Sequence, residues 1–191
     1  MNVILASQSP RRRELLSRFP FPFTVKVADI DEYMDPREAP EKAVAQVSRR
    51  KAEAIERSPE DVVIAADTIV VCCGYVLGKP CDEEDAFQML SMLSGRVHQV
   101  MTGITVLYGD KSHTHTEITE VAFRNLTEKE IHRYIASGEP MDKAGAYGIQ
   151  GGASLFVQKL IGDYFNVVGL PVCRLAQILG EIAPELMEGV A

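Results

Sequence analysis

An aspartate set inside an apolar strand is the sharpest chemical signal in this chain. Asp67 separates Val62-Val63-Ile64-Ala65-Ala66 from Ile69-Val70-Val71, with Thr68 beside it. Aspartate is a poor strand residue, and an ionised carboxylate buried without partners is very costly. A metal, a lysine or a hydrogen-bond network must compensate. A carboxylate held in this way suits metal binding or catalysis; the plainer reading is a structural aspartate at a break in the strand.

The cations form a second group. Arg11-Arg12-Arg13 stands where Ser7-Gln8-Ser9-Pro10 turns the chain into a helix. Ser9 is a good N-cap and Pro10 a good first helical residue. Cations at a helix start are unfavourable by roughly 0.3–1 kcal/mol each, so three in a row ask for an anion. Strand, polar loop and helix start is also a phosphate-cradling geometry, to which Ser7 and Ser9 add hydroxyl donors. A solvated basic turn is the alternative. No P-loop is present, because its Gly-Lys-Ser/Thr is absent. Further on, Val44, Val47, Lys51 and Ile55 follow one another at steps of three, four and four, so Lys51 lies on an apolar helical stripe and Arg49 points away. Lys51 either snorkels to the rim or reaches into a cleft; periodicity does not decide. Lys79, in Leu77-Gly78-Lys79-Pro80, would be fixed at a cleft's lip by its glycine and proline, a weak signal alone.

Asp29, Asp31 and Glu32 share one loop and could ligate magnesium, a hard cation that prefers oxygen, or could simply be solvated. In Asp142 to Gly152 four glycines fall within eight residues, which lets backbone approach a ligand closely. Tyr147 and Ile149 are buried-type residues that a flexible linker lacks, so the segment reads as a folded binding loop or, failing that, a structural turn. His98, His113, His115 and His132 show no ligand or triad spacing, and His113 and His115 share the exposed side of a strand. Cys72, Cys73, Cys81 and Cys173 form no zinc pattern and read as buried small hydrophobes.

These residues require particular elements to hold them. The pattern predicts strands over 3–6, 21–27, 62–73 (interrupted at Asp67-Thr68), 97–108, 112–123 and 154–161. It predicts helices over 11–19, 40–57, 82–93, 127–137 and 171–182, with a hairpin turn at Cys73-Gly74 and a capping box at Thr127 to Glu130. Helices and strands alternate without a strict βαβ rhythm, and two strands are hairpin-linked. The fold class is therefore α/β with a mixed sheet.

The whole chain narrows the function classes. It has 191 residues, which suits one domain or one core with two lobes around a cleft. Its 46% hydrophobic and 25% charged content is that of an ordinary globular protein. The N-terminal apolar run is too short for a signal peptide, and no run of about 18 apolar residues suggests a membrane span. A cytosolic protein is expected. The net charge of −7 argues against a duplex-binding surface, but a small anion needs only a local cluster of cations.

Ser7-Gln8-Ser9-Pro10-Arg11-Arg12-Arg13-Glu14-Leu15-Leu16, Ala66-Asp67-Thr68, Leu77-Gly78-Lys79-Pro80, Asp142 to Gly151, and Gly162-Asp163-Tyr164 through Val168-Gly169-Leu170-Pro171 occur in that order. Together they resemble the Maf family over nearly the whole chain, only the tail after about Ile182 having no counterpart. The resemblance implies a single Maf-like domain, a fold related to inosine triphosphate pyrophosphatases, and usually a homodimer. It implies cleavage of a nucleoside triphosphate between the α and β phosphates, with Mg2+ or Mn2+. The family's general base or metal-water activator is matched by Asp67. Its phosphate-binding cations are matched by Arg11, Arg12, Lys51 and Lys79, and its acidic metal-side residue by Glu32. Arg12, Thr68 and Gln150 match the members that favour dTTP and UTP; members that favour 7-methyl-GTP carry an aromatic residue, glutamine and glutamate at those places. Family members have also been associated with arrest of cell division and septum formation, so a regulatory binding protein is the alternative expectation.

Overall fold

In the computed structural model, residues 1–27 and 29–188 are described. The chain divides into two compact units. The first comprises Met1–Asp67, Thr102–Glu117 and the segment from Gly169 onward; the second comprises Thr68–Met101 and Ile118–Val168.

Among the described residues, seven strands make one mixed sheet: β1 (Asn2–Leu5), β2 (Phe23–Val25), β3 (Asp61–Cys72), β4 (Tyr75–Leu77), β5 (Val97–Tyr108), β6 (Lys111–Phe123) and β7 (Val157–Ile161). Their order is β2-β1-β3-β5-β6-β7, with β4 on the far end of β3. β1 runs parallel to both β2 and β3, whereas β4 on β3 and β7 on β6 are antiparallel. The long strands β3, β5 and β6 contribute residues to both units. β3 lies between β1 and β5 and is buried almost throughout, which is why it reads as a continuous apolar run rather than an alternating one.

The helices are α1 (Pro10–Leu16), α2 (Pro40–Glu53), α3 (Glu83–Leu93), α4 (Glu128–Ile135), α5 (Tyr164–Val168) and α6 (Val172–Ile182). Asp82 caps α3 by accepting from the Asp85 N–H, and Thr127 with Glu130 makes the expected capping box of α4. In the first unit, Ile4, Ala6, Ala52, Ile55, Val63, Ala65 and Leu107 pack together. In the second, α3 and α4 close over the sheet through Ala86, Leu90, Leu93, Ile131 and Ile135, with Tyr134, Tyr147, Phe123 and Phe156 in the same cluster.

Several expectations need correction. β3 is not interrupted: it continues through Asp67-Thr68, because a backbone carries its ladder bonds whatever the side chain, provided that side chain finds a partner. Only Cys72 is buried, while Cys73, Cys81 and Cys173 are exposed. Cys73 occupies the β3–β4 turn with φ +52, followed by Gly74 at +82, and turns stand at the surface. α1 ends at Leu16, capped at Ser17, ahead of Pro20 and Pro22. β2 keeps only three residues, and α2 stops at Glu53. The last strand begins at Val157 because Gly152–Leu155 forms a 3-10 turn. The short α5 carries no periodic signal in so few residues.

His98, expected to be unremarkable, is a core residue with 2% of its surface exposed. Its Nε2 lies 2.8 Å from the Tyr147 hydroxyl, its ring meets Phe123 edge-on, and its Nδ1 has no partner among the described residues. Burial lowers its pKa from 6.5 to about 4. The unfolded chain therefore binds a proton below pH 6.5 that the folded one refuses until about pH 4. Stability from this group is full above pH 6.5 and is lost as pH falls through 4, amounting to about 3 kcal/mol. Urea denaturation followed across that window should show this loss, and His98→Leu should flatten the slope while lowering stability at neutral pH, where Tyr147 loses its partner.

Candidate active site

Asp67 sits on β3 with 8% of its surface exposed, and of the three possible compensators the structure supplies a lysine. Lys51 Nζ donates to Asp67 Oδ1 at 2.6 Å and forms an ion pair with Glu32 Oε1 at 2.8 Å. Both carboxylates are thus paired with the same nitrogen. Lys51 comes from the apolar face of α2, where Val44 and Val47 are buried and Arg49 turns outward to Glu53.

The placement of α2 explains why the ammonium arrives there. Gly103 of β5 faces the helix backbone so closely that a Cβ would stand 2.5 Å from the Val44 carbonyl oxygen. One turn before Lys51, the buried Ser48 hydroxyl lies 2.8 Å from that of Thr105, which lies 3.0 Å from that of Thr114. Gly103, Ser48 and Thr105 were not singled out from the sequence. A glycine inside an apolar strand pattern is the signal that could have revealed the close approach.

Around α1, Ser9 accepts from the Arg12 N–H, and Pro10 takes the first helical position. The Ser9 N–H donates to Ser7 Oγ at 3.2 Å. The Arg12 guanidinium donates through Nη1 to the same Ser7 oxygen at 3.3 Å and through Nε to the Gly169 carbonyl at 2.8 Å. Burial lowers the Arg12 pKa; Asp67 and then Glu32 act in the opposite direction, and Arg11 reinforces the lowering. Their charges bear on one another, so Arg11, Arg12, Lys51, Asp67 and Glu32 make one electrostatic cluster, with Ser7 and Ser9 beside it. Arg13 is exposed. α1 has only seven residues and no acid in its first turn, so any anion here is held by side chains more than by a helix dipole.

The second unit carries the other three predicted residues. Thr68 follows Asp67 on β3 and is half-buried. Lys79 is exposed, in a loop tied to the glycine-rich segment by the Gly145 N–H donating to the Gly78 carbonyl at 2.9 Å. Gln150 is exposed on a β-turn closed by the Gly151 N–H donating to the Gly148 carbonyl at 3.1 Å. The glycine-rich segment is therefore folded, as two 3-10 turns and this β-turn.

The metal expectation can be tested on the donor set. Among the described residues, no three His, Cys, Asp or Glu side chains gather to hold an ion. Asp29 and Asp31 are exposed, and Asp31 accepts from the Tyr33 N–H instead. Glu32 and Asp67 remain as two hard carboxylates brought together on Lys51. They do not make an all-protein cage, but they fit magnesium, which keeps waters and is commonly held by one or two carboxylates and substrate phosphates.

A family model described as "Maf-like protein" matches residues 2–182. The chain belongs to that family. A dTTP/UTP pyrophosphatase of Syntrophomonas wolfei is 52% identical over 178 residues, covering 92% of this chain and 94% of the relative. One of Bacillus pumilus is 49% identical, covering 93% and 94%. Among solved structures, a HAM1 protein from Coxiella burnetii is similar over 95% of this chain and 99% of its own, with 14% identity and a TM-score of 0.45. The Maf-like match ends at α6, where the last helical core residue, Ile182, is buried.

Lys51→Met keeps the apolar stem and leaves Asp67 without its ammonium. Breaking such a pair in a fully buried setting costs about 3–5 kcal/mol; with both groups slightly exposed, a loss of about 2 kcal/mol is expected. Asp67→Asn removes the charge itself and should cost less, or stabilise. Chemical denaturation of the two variants should show this asymmetry.

Proposed function

We propose that this Maf-like chain hydrolyses dTTP and UTP to the nucleoside monophosphate and pyrophosphate. The observation that carries the reading is the contact of Asp67, Lys51 and Glu32 beside Arg12, in a chain about half identical to enzymes named dTTP/UTP pyrophosphatase. A triphosphate is a dense anion, and its hydrolysis needs mainly positioning and electrostatic stabilisation.

On this reading Arg11, Arg12, Lys51 and Lys79 bind phosphate oxygens, with Ser7 and Ser9 as hydroxyl donors. Asp67 orients a water and accepts its proton. The water oxygen bonds to phosphorus as the bridging bond between the α and β phosphates breaks, and pyrophosphate leaves. Mg2+ or Mn2+, held by Glu32 and Asp67, would supply Lewis-acid neutralisation of phosphate charge. Thr68 and Gln150 contact the base side of the nucleotide. Uracil offers an N3–H donor between two carbonyl acceptors, and one amide can meet a donor and an acceptor together.

A cytosolic homodimer that engages neither nucleic acid nor membrane completes the proposal. No helix of the described residues is long and apolar enough to cross a membrane. A purely regulatory role in cell division has no observation in its favour.

Purified protein with a divalent ion should convert UTP to UMP and pyrophosphate; UDP and orthophosphate as first products would rule this chemistry out. Asp67→Asn should lower turnover by at least ~10²-fold, in line with loss of a general base, and near-normal activity in the folded variant would remove Asp67 from the mechanism.

Gln150→Glu sets a negative oxygen against a uracil carbonyl. A penalty on the order of 1–3 kcal/mol, or roughly 5- to 150-fold in kcat/KM for UTP, is expected, with a smaller loss or a gain for GTP. Equal losses on UTP and GTP would mean that Gln150 does not read the base.

A further inference from the structure

We infer that Tyr134 and Glu139 form a clamp that positions Gln150 and thereby sets base selectivity, an inference that rests on the proposed role of Gln150 as base reader. Gln150 is the third residue of the turn Gly148–Gly151. One pair of side chains holds both ends of this turn. The Gly148 N–H donates to the Tyr134 hydroxyl oxygen at 3.1 Å, and the Gly152 N–H donates to Glu139 Oε2 at 3.0 Å. The Tyr134 hydroxyl donates in turn to Glu139 Oε1 at 2.8 Å, closing a ring of bonds around the turn.

The surroundings keep this pair in place. Tyr134 is buried, its ring edge-on to Phe156 at 5.2 Å between centroids, and burial raises its pKa, so the phenol stays a proton donor at neutral pH. Lys143 Nζ donates to the Glu139 backbone carbonyl. The glycines make room for the clamp. A Cβ at Gly151 would stand 2.1 Å from Glu139 Oε1, and one at Gly148 would stand 2.7 Å from Lys143 Cε. A side chain at Gly151 would therefore push the Glu139 carboxylate out of the position it holds against the Gly152 N–H.

A turn this rich in glycine would otherwise sample many conformations, and ordering it on binding would weaken affinity. An amide discriminates between bases only if its oxygen and nitrogen are held in register with the base edge. Described hydrogen bonds hold the backbone on both sides of Gln150 and leave its amide to a ligand. Tyr134 and Glu139 are positioning residues: they act through the turn.

The test is kinetics on Tyr134→Phe and Glu139→Gln, each with UTP, dTTP and GTP, alongside hydrogen exchange of the Gly148 and Gly152 amides. Tyr134→Phe keeps the packed ring and removes only the hydroxyl. Glu139→Gln keeps the shape and one acceptor oxygen. In both, exchange at the turn should quicken, KM for UTP and dTTP should rise more than kcat falls, and the UTP-to-GTP ratio of kcat/KM should drop by about 10-fold. An unchanged ratio, or equal losses on all three nucleotides, would overturn the clamp. A parent enzyme that releases no pyrophosphate from UTP would overturn the functional reading and the clamp with it; that failure is seen in the parent, not in the variants.

Discussion

The buried Asp67 carboxylate constrains most of what surrounds it. A strand covered on both faces and flanked by two neighbours has no water to solvate a charge, and Asp67 lies in such a strand. The charge is tolerated because Lys51 approaches to 2.6 Å. The approach is possible because α2 lies close on β5, and that closeness depends on a residue without a side chain at Gly103. Ser48 and Thr105 then fix the helix in register. A chain of small residues and hydroxyls, none of them reactive, thus determines which cation meets the carboxylate.

Arg12 is governed by the same economy of solvent. Burial works against its charge, and Asp67 and then Glu32 oppose that effect in part. Its guanidinium donates to Ser7 and to the Gly169 carbonyl, and these bonds fix the direction in which it points.

Much of this was legible in the sequence where a residue contradicted its surroundings. Asp67 in an apolar run demanded a partner, and Lys51 on an apolar stripe either snorkelled or reached into a cleft; the two turn out to be paired with one another. Periodicity also located β5, β6, α3 and the α4 capping box closely. What was hidden depends on tertiary contact. Glu32 is one of five acids in the loop over 26–39, and only the fold shows that it reaches Lys51. The exposure of Cys81 and Cys173 follows from where an otherwise ordinary residue faces. His98 has no local signature, because its partner Tyr147 is 49 positions away. Tyr134 and Glu139 look like any helix-end residues until Gly148 and Gly152 are folded against them.

The net charge of −7 does not describe the neighbourhood of Lys51. Surface potentials decay over a Debye length of about 8 Å at physiological ionic strength, so the cluster is governed by its own balance and not by the total. At rest, one ammonium is shared by two carboxylates. On the proposed reading, Glu32 and Asp67 would hold a divalent cation that supplies Lewis-acid neutralisation of phosphate charge, and Lys51 would pair with phosphate oxygen. Each of the three groups would then keep an opposite charge beside it. A bare triphosphate lacks that cation and would have to draw Lys51 away from Asp67 uncompensated. On that reading the arrangement would favour cation and phosphate together over a bare triphosphate, which is the selectivity an enzyme handling metal-bound nucleotides requires.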